Sequence, residues 1–100
     1  MIKGLWNIGV KTADLDKELD FLQKVGAILV LRETLPIGDQ GLEYAIVMLG
    51  GVRLLLFPTV IFEDKIEGGV APGLTHAVFE VDDLDAEFER IKALGSEVLV

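Results

Sequence analysis

The sequence predicts an α+β fold in which a complete β-α-β-β-β unit is followed by the opening β-α-β of a second copy. Three observations predict it: a repeat at an offset of 69 residues, two amphipathic helix patterns with matching starts and stops, and a Gly-Gly pair between two apolar runs. Laying Leu5–Leu31 over Leu74–Val100 gives identities at Leu5/Leu74, Asp14/Asp83, Leu15/Leu84, Asp16/Asp85, Glu18/Glu87 and Gly26/Gly95. A repeat of this kind decides architecture before any single element does.

The elements follow in order. Leu5–Thr12 alternates, with Trp6, Ile8 and Val10 opposite Asn7, Gly9 and Lys11, as a half-buried strand does. This places Trp6 with Ile8 and Val10, in the core under a helix. Leu15, Leu19, Leu22 and Val25 then recur at helical spacing and form one apolar stripe. Asp14 stands where an N-cap carboxylate accepts the first free amides, and Gly26 where a left-handed residue ends the helix. The apolar run Ala27–Arg32 reads as the second strand and Pro36–Gly41 as a turn. Leu42–Leu49 and Val52–Phe57 read as two strands joined by Gly50-Gly51, whose freedom at positive φ suits a tight hairpin.

Residues 4–58 thus form module one and residues 59–73 a connector, within a single domain of 1–100. Val60, Ile61, Phe62 and Ile66 are apolar enough that part of the connector should pack down. In the partial second module, residues 74–100, Thr75–Val81 repeats the first strand. Leu84, Phe88, Ile91 and Leu94 repeat the buried stripe between Asp83 and Gly95, and Glu97–Val100 begins another strand. By the same offset, two further strands would lie beyond Val100. The expectation is either a fragment or a protein that fills the gap by other means. An open strand edge favours pairing with another chain, so a homodimer is expected.

Composition narrows the function classes. With 51% hydrophobic and 26% charged residues the chain has material for a core and is not read as disordered. A net charge of -8 argues against phosphate-backbone binding, so no nucleic acid partner is expected. The acid is uneven: residues 1–58 carry seven acidic and six basic residues, residues 59–100 ten and three, which fits a solvated acidic helix face. Cysteine is absent, which removes disulfides and thiolate chemistry and fits a reducing, cytoplasmic location. The most apolar stretch, Tyr44–Phe57, is broken by Gly50-Gly51 and Arg53, so no membrane association is expected. There is no G-x-S-x-G elbow, phosphate loop or HExxH, and Gly38–Gly41 reads as a turn.

The segments Asn7–Asp16 and His76–Asp85 resemble the module starts of the vicinal oxygen chelate superfamily, which includes glyoxalases, bleomycin resistance proteins and extradiol dioxygenases. The resemblance covers essentially the whole chain. It implies a glyoxalase-type fold with a cupped mixed sheet and helices on its outer face. It also implies ligand positions on the first and fourth strands of each module. Carried over here, these fall on Asn7 where His is expected, on Leu55 where Glu is expected, and on His76, which matches; the fourth lies on a strand beyond Val100. Leucine coordinates nothing and an amide is a poor donor, so neither metal nor other cofactor is expected.

The candidate ligand pocket is Asn7, Tyr44, Met48, Arg53, Leu55, Phe57 and His76. Arg53, Leu55 and Phe57 alternate on one strand, and Tyr44, Ile46 and Met48 on its neighbour. Together they describe an apolar wall with a few polar groups. His76, the only histidine, is read as a relic of the family's ligand set or a hydrogen-bonded pocket wall in preference to a metal ligand or catalytic residue. Glu80, four residues along the same strand face and about 13 Å away, is too far to pair with it. The favoured reading is metal-independent sequestration of a small, mostly apolar or aromatic molecule. The alternatives are a metal-dependent lyase or dioxygenase with a site rebuilt across a dimer, and a non-catalytic remnant acting through protein association.

Overall fold

The computed structural model describes residues 1–37, 40–60 and 63–98. Its elements run β1 (Ile2–Lys11), α1 (Leu15–Val25), β2 (Ile28–Ile37), β3 (Gln40–Leu49), β4 (Val52–Phe57), β5 (Gly73–Val81) and α2 (Leu84–Ala93). A short 3-10 turn at Glu63–Lys65 interrupts the connector between β4 and β5. The described strands form one mixed sheet in the order β2-β3-β4-β1-β5. β1 runs parallel to β4, and the other neighbours are antiparallel. The α+β architecture is the one the sequence predicts.

α1 begins where the Asp14 carboxylate accepts the Lys17 amide at 3.1 Å. It ends at Gly26, whose φ of 123° and bonds to the Leu22 and Gln23 carbonyls close the last turn. Leu15, Leu19 and Leu22 are buried against Ala27, Ala45, Val47 and Leu56, with Val10, Leu49 and Leu54 packed around them. Val25, expected as the fourth member of the stripe, is 55% exposed. The chain turns at Gly26, and the buried position that follows is taken by Ala27, whose amide donates to the Leu22 carbonyl at 2.8 Å.

The hairpins differ in how much of them the sequence shows. Gly50 and Gly51 adopt φ of 57° and 80° and join β3 to β4 at the expected place. Pro36–Gly41, expected as a turn, is instead largely strand: Pro36 pairs with Gly41, and Ile37 with Gln40. Proline lacks an amide donor, but β2 is an outer strand of the sheet, where that loss is tolerated. The remainder of that turn, Gly38-Asp39, lies outside the described residues.

α2 repeats the N-cap of α1, with Asp83 accepting the Ala86 amide at 3.0 Å, and ends at a C-cap of Leu94, one residue before Gly95 at φ 98°. Its stripe does not repeat the burial. Leu84 is 74% exposed and Leu94 75%, and Phe88 and Ile91 are also exposed. Leu84, Phe88 and Ile91 border an apolar groove with Ile2, Phe79 and Val81. α1 is covered by β3 and β4, and α2 has no such strand pair over it among the described residues. Ser96–Val98 form no strand, contrary to the expectation for Glu97–Val100, because no described strand lies beside them; Leu99 and Val100 are outside the described residues.

In the connector, Val60 is buried and Ile66 half-buried, as their apolar character requires. Ile61 and Phe62, expected to share that role, lie outside the described residues. Among the described residues no helix is long and apolar enough to cross a membrane.

The contrast between the two helix faces is measurable. Leu56→Ala, emptying a fully buried site, is expected to cost about 2–5 kcal/mol in urea denaturation. Leu84→Ala on the exposed stripe should cost under about 0.5 kcal/mol. Equal losses would mean that both stripes are packed.

Candidate functional site

Residues directly opposed on neighbouring strands share a face of the sheet. Leu31 opposes Ile46, Ile46 opposes Leu55, Leu55 opposes Gly9 and Gly9 opposes His76, so one row crosses all five strands. Beside it, Met48 opposes Arg53 and Asn7 opposes Val78. This face lies opposite Leu54 and Leu56, which pack under α1, and is called the open face below. Of the candidate residues, Asn7, Met48, Arg53, Leu55, Phe57 and His76 are brought onto it together. Tyr44 shares the face by alternation but is engaged towards β2, its hydroxyl donating to Glu33 Oε2 at 3.3 Å. Burial, with the Glu33 carboxylate adding to it, holds the Tyr44 phenol above its ordinary pKa.

The His76 ring lies across Gly9 and stacks on Phe57 with centroids 5.8 Å apart. A Cβ at Gly9 would come within 2.2 Å of the imidazole, so this glycine is the floor on which the histidine rests. Thr75 Oγ1 donates to the Gly9 carbonyl at 3.1 Å and lies 2.8 Å from His76 Nδ1. A hydroxyl has one proton to donate, so with that proton on the Gly9 carbonyl it can only accept from His76 Nδ1–H. Gly9 and Thr75 were missed by reasoning from the sequence. The signal for Gly9, a glycine inside an alternating strand, marks a close approach.

Trp6 corrects an expectation. The register slips between the pairs Leu5/Phe79 and Asn7/Val78, and Trp6 falls at the slip. Such an irregularity re-aims a side chain. Trp6 is 50% exposed and not in the core, and the Arg53 guanidinium sits 3.9 Å from its ring centroid while Nη1 donates to the Trp6 carbonyl at 3.3 Å. Trp6, Asn7, Met48, Arg53 and Glu80 line a cleft of about 430 Å³. Asn7 is 7% exposed, and its buried Oδ1 has no hydrogen-bond partner among the described residues. Glu80 is exposed, 3.9 Å from Lys3 Nζ.

At the far end of β1, Lys11 Nζ contacts Glu63 Oε1 at 2.6 Å and donates to the Val70 carbonyl at 2.7 Å. This pair fastens the connector beside Phe57, which opposes Lys11 on β4. The bond from Lys11 holds the Glu63 carboxyl below its usual range, and a bond from the Val60 amide adds to the effect.

A metal centre is the obvious question for Asn7, Leu55 and His76, which do fall on one face. Their donors are one amide and one imidazole, with a hydrocarbon between. Among the described residues no group of three or more His, Cys, Asp or Glu could hold a metal ion. The donor set does not fit a metal.

The family model for the Glyoxalase/Bleomycin resistance protein/Dioxygenase superfamily matches residues 5–100. Among solved structures, methylmalonyl-CoA epimerase from Mycobacterium tuberculosis is similar at a TM-score of 0.67 and 27% identity, over 94% of this chain and 65% of that one. Hypothetical protein BH1468 from Bacillus halodurans C-125 shares the fold at a TM-score of 0.66 and 18% identity, over 91% of this chain and 67% of that one. The chain therefore spans about two thirds of the length of these structures. No curated protein matches it.

The Lys11–Glu63 clasp carries a pH signature. Because the folded state lowers the Glu63 pKa, its stabilisation is fully present above the ordinary carboxylate range and is lost as pH falls through the folded value. Glu63→Gln should therefore lower the urea midpoint at about pH 7 and converge with the parent protein by about pH 3. A difference that is independent of pH would rule out the clasp as its cause.

Proposed function

Since the chain belongs to the Glyoxalase/Bleomycin resistance protein/Dioxygenase superfamily, we propose that its open face binds a small, mostly apolar or aromatic molecule without a metal. The observation that carries this reading is the row Ile46–Leu55–Gly9–His76, with Phe57 stacked at its end. Where a coordinating side chain would be needed, the row offers the hydrocarbon of Leu55. Apolar walls with a few placed polar groups are what a small-molecule site requires. A cytoplasmic location belongs to the same reading and is supported by the absence of cysteine.

A ligand that binds the folded state alone must raise the melting temperature. Screening a varied panel of hydrophobic and aromatic compounds should return at least one concentration-dependent rise. A flat response across the whole panel would defeat the proposal.

A catalytic reading has one observation in its favour, the likeness to a structure named as an epimerase. On that reading the site is rebuilt across a dimer with His76 contributing its imidazole, and stoichiometric divalent metal in the purified protein would favour it over sequestration.

Pairing of two copies is also part of the proposal. β5 is an outer strand of the sheet, and Phe79, Leu84 and Phe88 are exposed along the groove beside it. Light scattering should report a dimer that Phe88→Glu shifts towards monomer. A monomeric parent protein would remove this element.

A further inference from the structure

We infer that the corner formed by Trp6, Arg53 and Asn7 recognises a small monocarboxylic acid that also carries a hydroxyl or N–H donor. This rests on the binding reading above and names the class of molecule that the site takes.

Arg53 is the first reason. The chain has 17 acidic residues and three arginines. Arg32 is bridged to Glu43 and Arg90 to Glu87, each at 2.6 Å. Among the described residues no carboxylate is bridged to Arg53. Its single described hydrogen bond runs from Nη1 to the Trp6 carbonyl, and its plane rests on the Trp6 ring. Four of the five N–H donors of a guanidinium are therefore uncommitted here, and stacking fixes the fork before a ligand arrives. A fork held in this way matches the two oxygens of a carboxylate.

Asn7 is the second reason, and it is independent. Asn7 lines the same cleft, its Oδ1 is buried, and among the described residues no group donates to it. A buried acceptor left without a donor is costly. A hydroxyl or N–H on the ligand would satisfy it, as a bound water would, and the two are separable by experiment. Met48 supplies apolar wall between these polar ends, and the cleft of about 430 Å³ suits a small molecule. Glu80 lines the same cleft with a carboxylate of its own, which opposes a second negative charge on the ligand.

Mandelate serves as the probe, since it combines a ring, a hydroxyl and one carboxylate. Methyl mandelate removes the charge and phenylacetate the hydroxyl. Trp6 is the only tryptophan, so its fluorescence reports the corner directly, with calorimetry as the second readout. The parent protein should bind mandelate roughly tenfold tighter than either analogue, the size expected for one charge-assisted or buried hydrogen bond. Arg53→Met should erase the preference for acid over ester and keep that for hydroxyl. Asn7→Leu should do the reverse. The comparison of the three compounds on the parent protein stands even where a variant fails to fold.

Equal affinity for all three overturns the inference and leaves the binding reading intact. A hydroxyl preference unchanged in Asn7→Leu assigns that amide to a bound water and overturns the donor half. Silence from all three compounds overturns the inference, and the binding reading falls with it only if the wider hydrophobic panel is also silent.

Discussion

Phe57 on β4 and His76 on β5 are separated by a whole strand, β1, yet their rings are stacked. Strands spaced by about 4.8 Å put β4 and β5 nearly 10 Å apart. The imidazole closes that gap only by lying across β1 at a residue with no side chain, and the register brings Gly9 to that point. The same register sets Gly9 against Leu55 and sends Val10 and Leu56 to the other face, under α1. A slip of one residue would exchange the faces. The core and the open face are therefore two consequences of one strand pairing, locked from above by a ring that fits in only one place.

Features written in short-range chemistry were legible in the sequence. The caps at Asp14 and Asp83, the terminating glycines, the Gly-Gly hairpin and the buried face of α1 each depend on residues a few positions apart. Three other features depend on what lies alongside. Trp6 obeys alternation until a register slip against β5 turns it outward, and the strand's own sequence carries no sign of that slip. Pro36 looks like a break, but an outer strand accommodates it. The stripe of α2 matches that of α1 in spacing, while burial depends on a covering layer that spacing does not supply. The candidate site divides in the same way. Alternation placed Asn7, Arg53, Leu55 and His76 on one face, and it could not reveal that Arg53 rests on Trp6 or that Tyr44 is turned to Glu33.

The chemistry of the open face follows from substitution at a few positions. An imidazole alone, beside an amide and a hydrocarbon, lacks the donors to hold a cation, and His76 is instead fixed by Thr75 and Phe57. What replaces coordination is a polarity gradient. The buried acceptor is Asn7 Oδ1, and among the described residues the single cation lining the cleft is Arg53. In a chain of net charge -8, a cation with no carboxylate bridged to it among the described residues is where an anion is least opposed.

The second helix shows what holds an element when apolar burial does not. Its buried residue is Glu87, and the apolar stripe stays exposed, with Leu84, Phe88 and Ile91 along the groove beside Phe79. Glu87 is bonded to Arg90 and to the amino group of Met1, contacts that hold its carboxyl below the usual range. Asp82 takes the same amino group at 2.6 Å, so the start of β1 is tied to the loop that leads into α2. The carboxylates also account for the amino group's raised pKa. Asp85 and Glu87 lie in the first turn, and Arg90 and Lys92 in the last, each at the end where the helix dipole favours it. Local electrostatics and capping can set the position of α2 against β1 and β5 while its apolar stripe stays open. The two helices thus differ in what their polar groups do: in α1 the apolar stripe builds the core, and in α2 the buried Glu87 ties the helix to the amino group of Met1 while the stripe stays exposed.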